Sequence, residues 1–144
     1  MIIYFGIGTN LGNREENIRE ALRLLDAKVG VQMACSSIYR SKPQGFVSDN
    51  EFANIVVAYQ TEYTPEELLS ITQQIEQELG RTHKTVDGIY HDRIIDIDLL
   101  LAKIGTLSLD CNTPTLTIPH PRMNSRDFVL IPLQEVEHLL LNKL

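Results

Sequence analysis

Cysteine is scarce: Cys35 and Cys111 are the two in 144 residues. Two thiols so far apart in sequence form neither a disulfide framework nor a cysteine-based zinc site. An excess of positive charge is also missing, since 13 Lys and Arg face 19 Asp and Glu for a net charge of −6. A nucleic-acid partner leaves a strongly basic footprint, so none is expected. Long apolar runs are missing too. Stretches such as Leu139-Leu140-Leu141 are far shorter than the ~20 residues of a membrane span. The opening Met1-Ile2-Ile3-Tyr4-Phe5-Gly6 has no basic region and no small-residue cleavage site, which argues against a signal peptide. No Gly-x-x-x-x-Gly-Lys-Ser/Thr loop occurs, and His83, His91, His120 and His138 share no metal-ligand spacing. With 43% hydrophobic and 22% charged residues, the expectation is one soluble, cytoplasmic domain over residues 1–144.

What the chain has is periodicity. Residues 1–8 are apolar and suit a buried strand. Gly6-Ile7-Gly8-Thr9-Asn10-Leu11-Gly12 departs from the dinucleotide-binding spacing and reads as a tight turn into a capped helix. Ile18, Ala21, Leu22 and Leu25 make an apolar stripe on that helix, which runs to about Lys28 and stops at Gly30. Residues 31–40 read as a strand, and Ser41 to Glu51 as a long loop of the kind that carries function. A strand from Phe52 to about Glu62 leads to Thr64-Pro65-Glu66-Glu67, a strong helix start, and that helix ends at Gly80. A polar stretch from Arg81 to Asp92 precedes a strand from Arg93 to about Ala102. The tail holds a turn near Gly105, a strand at 115–118, a proline-rich loop and a short helix from about Ser125. The order β-α-β-β-α-β is the ferredoxin-like pattern. It predicts an α+β sandwich with an antiparallel sheet, both helices on one face, the other face open, and a C-terminal extension.

The most informative stretch is Arg93-Ile94-Ile95-Asp96-Ile97-Asp98-Leu99. Alternation along a strand puts Asp96 and Asp98 on one face and Ile95, Ile97 and Leu99 on the other. Two like charges at that spacing repel unless a cation lies between them, and hard oxygen ligands suit Mg²⁺. The competing reading is an edge strand with solvated acids. Arg81, His83, Lys84 and Arg93 flank this strand, and Arg122 and Arg126 follow Ile118-Pro119-His120-Pro121. Cations beside a Mg²⁺ site fit phosphate clamps, although a mixed-charge loop is also ordinary surface.

Together these residues resemble one family, the 6-hydroxymethyl-7,8-dihydropterin pyrophosphokinases. The resemblance runs from Ile7 to about Val136. It rests on Gly8-Thr9-Asn10-Leu11-Gly12, on Tyr39-Arg40-Ser41 with Pro43 and Gly45, and on Phe52-Ala53-Asn54. It continues through Ile75-Glu76, Gly80-Arg81, the acidic strand, and Ile118-Pro119-His120-Pro121-Arg122 with Arg126 and Phe128. What it implies is a transfer of diphosphate from ATP to a pterin alcohol. Two Mg²⁺ ions would sit on Asp96 and Asp98. ATP would lie against Gln73, Glu76, His83, Lys84, Arg93, Leu99, Thr117, His120 and Arg126. The pterin would meet Ser41, Lys42, Gln44, Asn54, Tyr90 and Phe128. Arg81 and Arg93 would stabilise the transferring group, with Asp98 as the candidate base. The chain departs from the family at His91-Asp92-Arg93, where Gly-Pro-Arg is common, and at Thr115, where some relatives carry arginine.

The partners expected are small molecules alone, with a monomer favoured over a homodimer. Two rivals stand beside this reading. A nucleotidyltransferase also uses an acidic strand, but its Gly-Ser pair is missing upstream, where Ile89 follows Gly88. A ligand-binding module of the same fold gives no reason for two carboxylates beside clustered arginines.

Overall fold

The computed structural model describes residues 1–42, 51–80 and 94–142. Chain order begins with β1 (Ile2–Thr9), α1 (Arg14–Lys28), β2 (Gly30–Cys35), β3 (Tyr39–Ser41), β4 (Phe52–Thr61) and α2 (Pro65–Glu78). It continues with β5 (Asp96–Ile104), β6 (Leu107–Ser108), β7 (Cys111–Asn112), β8 (Thr117–Ile118) and α3 (Asp127–Leu141). All strand pairs are antiparallel, and the main sheet has the order β2-β4-β1-β5-β6 with β3 also on β4.

Local chemistry explains the helix ends. Asn13 caps α1 by accepting the Glu16 amide, and Gly12 before it takes a φ of 66° that side chains disfavour. Thr64 and Glu67 form a reciprocal capping box at α2, with Pro65 in the first turn. Asn17 then ties the start of α1 to the sheet. Its amide donates to Thr9 Oγ1 at 3.1 Å and to the Leu11 carbonyl at 2.8 Å, while the Thr9 hydroxyl donates to the Ile94 carbonyl. That relay joins the end of β1 to the entry of β5.

The strands sort their side chains by alternation. Ile3, Phe5 and Ile7 of β1, Ile55, Val57 and Tyr59 of β4, and Ile97 and Leu99 of β5 enter one core with α1 and α2. Tyr4, Val56, Ala58 and Leu100 enter a second, smaller core with Leu133 and Val136 of α3. A register shift opposite Tyr4/Phe5 makes Leu100 and Leu101 consecutive members of this second core.

Several expectations need correction. The strand expected over 31–40 is two strands separated by Ser36–Ile38, because the edge bulges there. The first strand runs one residue past the expected 1–8, to Thr9, and Gly12 makes the turn that follows. The strand expected from Arg93 begins at Asp96, and the one expected at 115–118 is confined to Thr117–Ile118. The C-terminal helix is 15 residues long and covers part of the sheet face expected to be open. Both cysteines are free thiols. Among the described residues no helix is long and apolar enough to cross a membrane.

Candidate active site

Register brings the polar residues into two rows across the sheet. Gly8 of β1 pairs with Asn54 of β4 on one side and with Asp96 of β5 on the other. Gly6 pairs in the same way with Val56 and Asp98. Directly opposite residues share a face, so Asn54, Asp96 and Asp98 all stand on the α3 side. Between them β1 presents no side chain. The result is a lane two strand spacings wide, or about 10 Å from the Asn54 Cα to that of Asp96.

The lane is the floor of a cavity of about 830 Å³, within the range of small-molecule sites. A Cβ added at Gly8 would come within 3.1 Å of Asn54 Oδ1 and 3.5 Å of the Phe52 ring. Glycine in a strand interior often marks close approach by another group, and here that group is a neighbouring side chain and the cavity itself.

At the β4 end the Asn54 amide is fixed. Its Nδ2 donates to the Tyr39 carbonyl at 3.0 Å and to Ser41 Oγ at 2.8 Å. Both amide hydrogens are thereby used, which leaves Oδ1 as the atom able to meet a ligand, and as an acceptor. Ser41, Lys42, Phe52 and Phe128 complete this end. The Arg126 guanidinium lies 5.5 Å from the centre of the Phe128 ring, so the aromatic is already paired with a cation.

At the β5 end the cavity wraps over the strand edge toward α2. Glu76 is buried, and its carboxylate accepts the Ile97 amide at 2.8 Å. Ile97 therefore turns its main chain away from β1, and Leu99, two residues on with no register break between, faces the same edge. The Leu99 side chain itself is in the core below. Gln73 and Thr72 line the wall beside Glu76.

The turn before α3 closes the third side. The His120 amide donates to the Leu100 carbonyl at 2.8 Å, docking the turn on the β5 edge. His120 Nδ1 accepts the Arg122 amide at 3.2 Å, so the neutral ring carries its proton on Nε2. Burial lowers the His120 pKa, and the Arg126 and Arg122 charges lower it further against the opposing pull of Asp96. The neutral ring is the form favoured at neutral pH.

Eleven of the side chains singled out from sequence line this one cavity: Ser41, Lys42, Asn54, Gln73, Glu76, Asp96, Asp98, His120, Arg122, Arg126 and Phe128. Thr117 is exposed on β8 and lies outside the cavity wall. Gln44, Arg81, His83, Lys84, Tyr90 and Arg93 fall outside the described residues. Sequence reasoning missed Gly6, Gly8 and Phe52. The spacing of two glycines within an apolar run was the signal for the first two. Among the described residues no group of three or more His, Cys, Asp or Glu could hold a metal. Asp96 and Asp98 would therefore need oxygen from substrate or water to complete a Mg²⁺ shell, which is how Mg²⁺ is commonly bound.

The fold and the cavity together define a class: an α+β protein that sets paired carboxylates and an amide-aromatic pocket at opposite ends of a glycine-floored cleft. Within that class the chain belongs to the 7,8-dihydro-6-hydroxymethylpterin-pyrophosphokinase family, whose model matches residues 4–138. It is 45% identical over 135 residues to the 2-amino-4-hydroxy-6-hydroxymethyldihydropteridine pyrophosphokinase of Porphyromonas gingivalis, covering 94% of this chain and 90% of that one. The Bacillus subtilis protein of the same name is 41% identical over 136 residues, covering 94% of this chain and 77% of that one. Among solved structures, Plasmodium falciparum HPPK-DHPS with pteroate superposes with a TM-score of 0.66 at 15% identity. The match covers 99% of this chain and 42% of that one. At that identity the likeness concerns the fold, and this chain spans less than half of the fused protein.

Proposed function

We infer that this protein transfers a diphosphate group from ATP to 6-hydroxymethyl-7,8-dihydropterin, a step of folate synthesis that releases AMP. The observation that carries the reading is the two-ended cavity, with Asn54 and Phe128 at one end and Asp96 and Asp98 across the glycine lane. A flat pterin needs a ring to stack on and an amide to read its edge. A triphosphate needs carboxylates for its cations and positive side chains for its oxygens.

In this reading the pterin lies at the β4 end, against Asn54, Phe128, Ser41 and Lys42, with Gln44 and Tyr90 from the adjoining segments. ATP lies at the β5 end, against Gln73, Glu76, His120, Arg126 and the Leu99 main chain, with His83, Lys84 and Arg93 completing its contacts and Thr117 reached only by a part of the nucleotide that extends beyond the cavity wall. Asp96 and Asp98 would hold two Mg²⁺ ions, which when bound neutralise triphosphate charge. The pterin hydroxyl oxygen forms a bond to the β-phosphorus. The bond from that phosphorus to the oxygen shared with the α-phosphorus breaks, and AMP leaves with that oxygen. Asp98 takes the hydroxyl proton, and Arg81 and Arg93 stabilise charge on the group in flight. The sheet order and the two crossing helices support a ferredoxin-like assignment, with α3 as its C-terminal extension. We take the protein to act as a cytoplasmic monomer on small molecules.

Chromatography of the nucleotide products tests the reaction class. Protein, ATP, Mg²⁺ and the pterin should give AMP and pterin diphosphate in equal amounts. ADP would mean attack at the γ-phosphorus, and free diphosphate with an adenylylated acceptor would mean attack at the α-phosphorus. Either product overturns the reading.

A further inference from the structure

The wall of the pterin end depends on a residue outside the cavity. From Cys35 to Tyr39 the edge advances four residues, while its partner advances three, from Val57 to Asn54. The extra residue is a β-bulge, and it sets the parity of everything after it. With it, Tyr39 stands opposite Asn54 and Ser41 opposite Phe52. Without it, Ile38 and Arg40 would take those places, and the hydroxyl that fixes the Asn54 amide would point away.

A bulge leaves main-chain groups without ladder partners, and burial makes such groups costly. Here the side chains supply them. Ser36 Oγ accepts the Val56 amide at 2.9 Å, while the Ser36 amide donates to the Val56 carbonyl at 2.9 Å. Those two bonds are buried; at the next residue the chain reaches the surface, where the exposed Ser37 donates its amide to Glu135 Oε2 at 2.9 Å and its hydroxyl to the same carboxylate at 3.1 Å. Glu135 sits on α3, 98 residues away in sequence. It links the helix over the sheet to the kink in its edge.

We propose that Glu135 is a positioning residue for the acceptor substrate: by holding the Ser37 bulge it fixes the register of β3 and so the orientation of Ser41 and Asn54. This rests on the assignment of the β4 end to the pterin. Glu135→Ala should raise the pterin KM about tenfold and leave the ATP KM within about twofold, with kcat changed little. Glu135→Gln keeps one acceptor oxygen and should recover most of that loss.

A matched control separates positioning from simple stability. Lys103 makes another side-chain tie between α3 and the sheet, bonding Glu137 at 3.0 Å, on β5 opposite Ile2 at the far end of β1 from Gly8. Lys103→Ala should lower the melting temperature about as much as Glu135→Ala and leave both KM values unchanged. Fluorescence titration of pterin onto each variant reads the same difference without turnover, and melting curves show that each is folded. If the wild type releases AMP but Glu135→Ala keeps its pterin KM and affinity, the positioning role is wrong. Equal loss of ATP and pterin affinity would also overturn it. If the wild type binds pterin but forms no AMP, the reaction assignment fails while the titration still decides the role of Glu135.

Discussion

The two faces of the central sheet are built from the same three strands, yet they have opposite composition. On the face under α1 and α2, Ile3, Phe5, Ile7, Ile55, Val57, Ile97 and Leu99 form an unbroken apolar layer, each at most 5% exposed. On the other face the same strands carry Gly6, Gly8, Asn54, Asp96 and Asp98, and α3 covers only the part occupied by Tyr4, Val56, Ala58 and Leu100. One face is specified by volume and the other by what it leaves empty. Stability should be lost from the first and function from the second, so the two can be separated by substitution.

The largest effect is expected on the closed face. Phe5 is fully buried and meets Tyr59 edge-on with ring centres 6.0 Å apart. Phe5→Ala should cost about 3–5 kcal/mol of stability, read by urea or thermal unfolding. A loss below about 1 kcal/mol would mean that the layer is not close-packed. Next come the carboxylates. Asp96→Ala and Asp98→Ala should each slow turnover by on the order of 10²–10³-fold, while the melting temperature moves by no more than about 3 °C. Collapse of the fold in either variant would erase the distinction between the faces.

The smallest effect is the sharpest test. Gly8→Ala adds one methyl to the open face in ordinary extended backbone, 3.1 Å from the Asn54 oxygen. It should change stability by no more than about 1 kcal/mol, because restricting the unfolded chain is offset by pushing Asn54 against its bonds to Tyr39 and Ser41. It should also weaken pterin binding about tenfold by displacing Asn54. A tenfold loss of pterin affinity beside a near-unchanged stability would show that the gap itself is functional. Unchanged pterin affinity would show that the lane has room to spare.

Much of this contrast was legible in the sequence. The closed face was readable because alternation and helical period are local: Ile95-Asp96-Ile97-Asp98-Leu99 announces both faces of β5 by itself. The helix starts were readable because Thr64, Pro65 and Glu67 carry their capping chemistry within one turn. The bulge after Cys35 was not. Its extra residue is defined by pairing with β4 and by a carboxylate from α3, neither of which is nearby in sequence. The length of α3 was also obscured, because Pro132 lies inside it and proline ordinarily ends a helical pattern. Packing of Leu133 and Val136 on the sheet overrides that local preference. For the site, strand alternation identified Asp96 and Asp98 and local charge drew attention to Arg122 and Arg126, while the family resemblance supplied Ser41, Lys42, Asn54, Gln73, Glu76 and Phe128. The glycines went unread as site residues because their contribution is the absence of atoms.

The pairing of β1 with both β4 and β5 has one further consequence. The reach between the two ends of the cavity is set by hydrogen-bonded backbone, since each crossing from Asn54 to Gly8 to Asp96 is a fixed rung of the sheet. Side-chain substitutions can change what each end recognises, but they cannot stretch the interval between them. The spacing works as a gauge block. A longer or shorter acceptor is met by side chains of different length at the two ends, while the backbone interval stays where the sheet sets it.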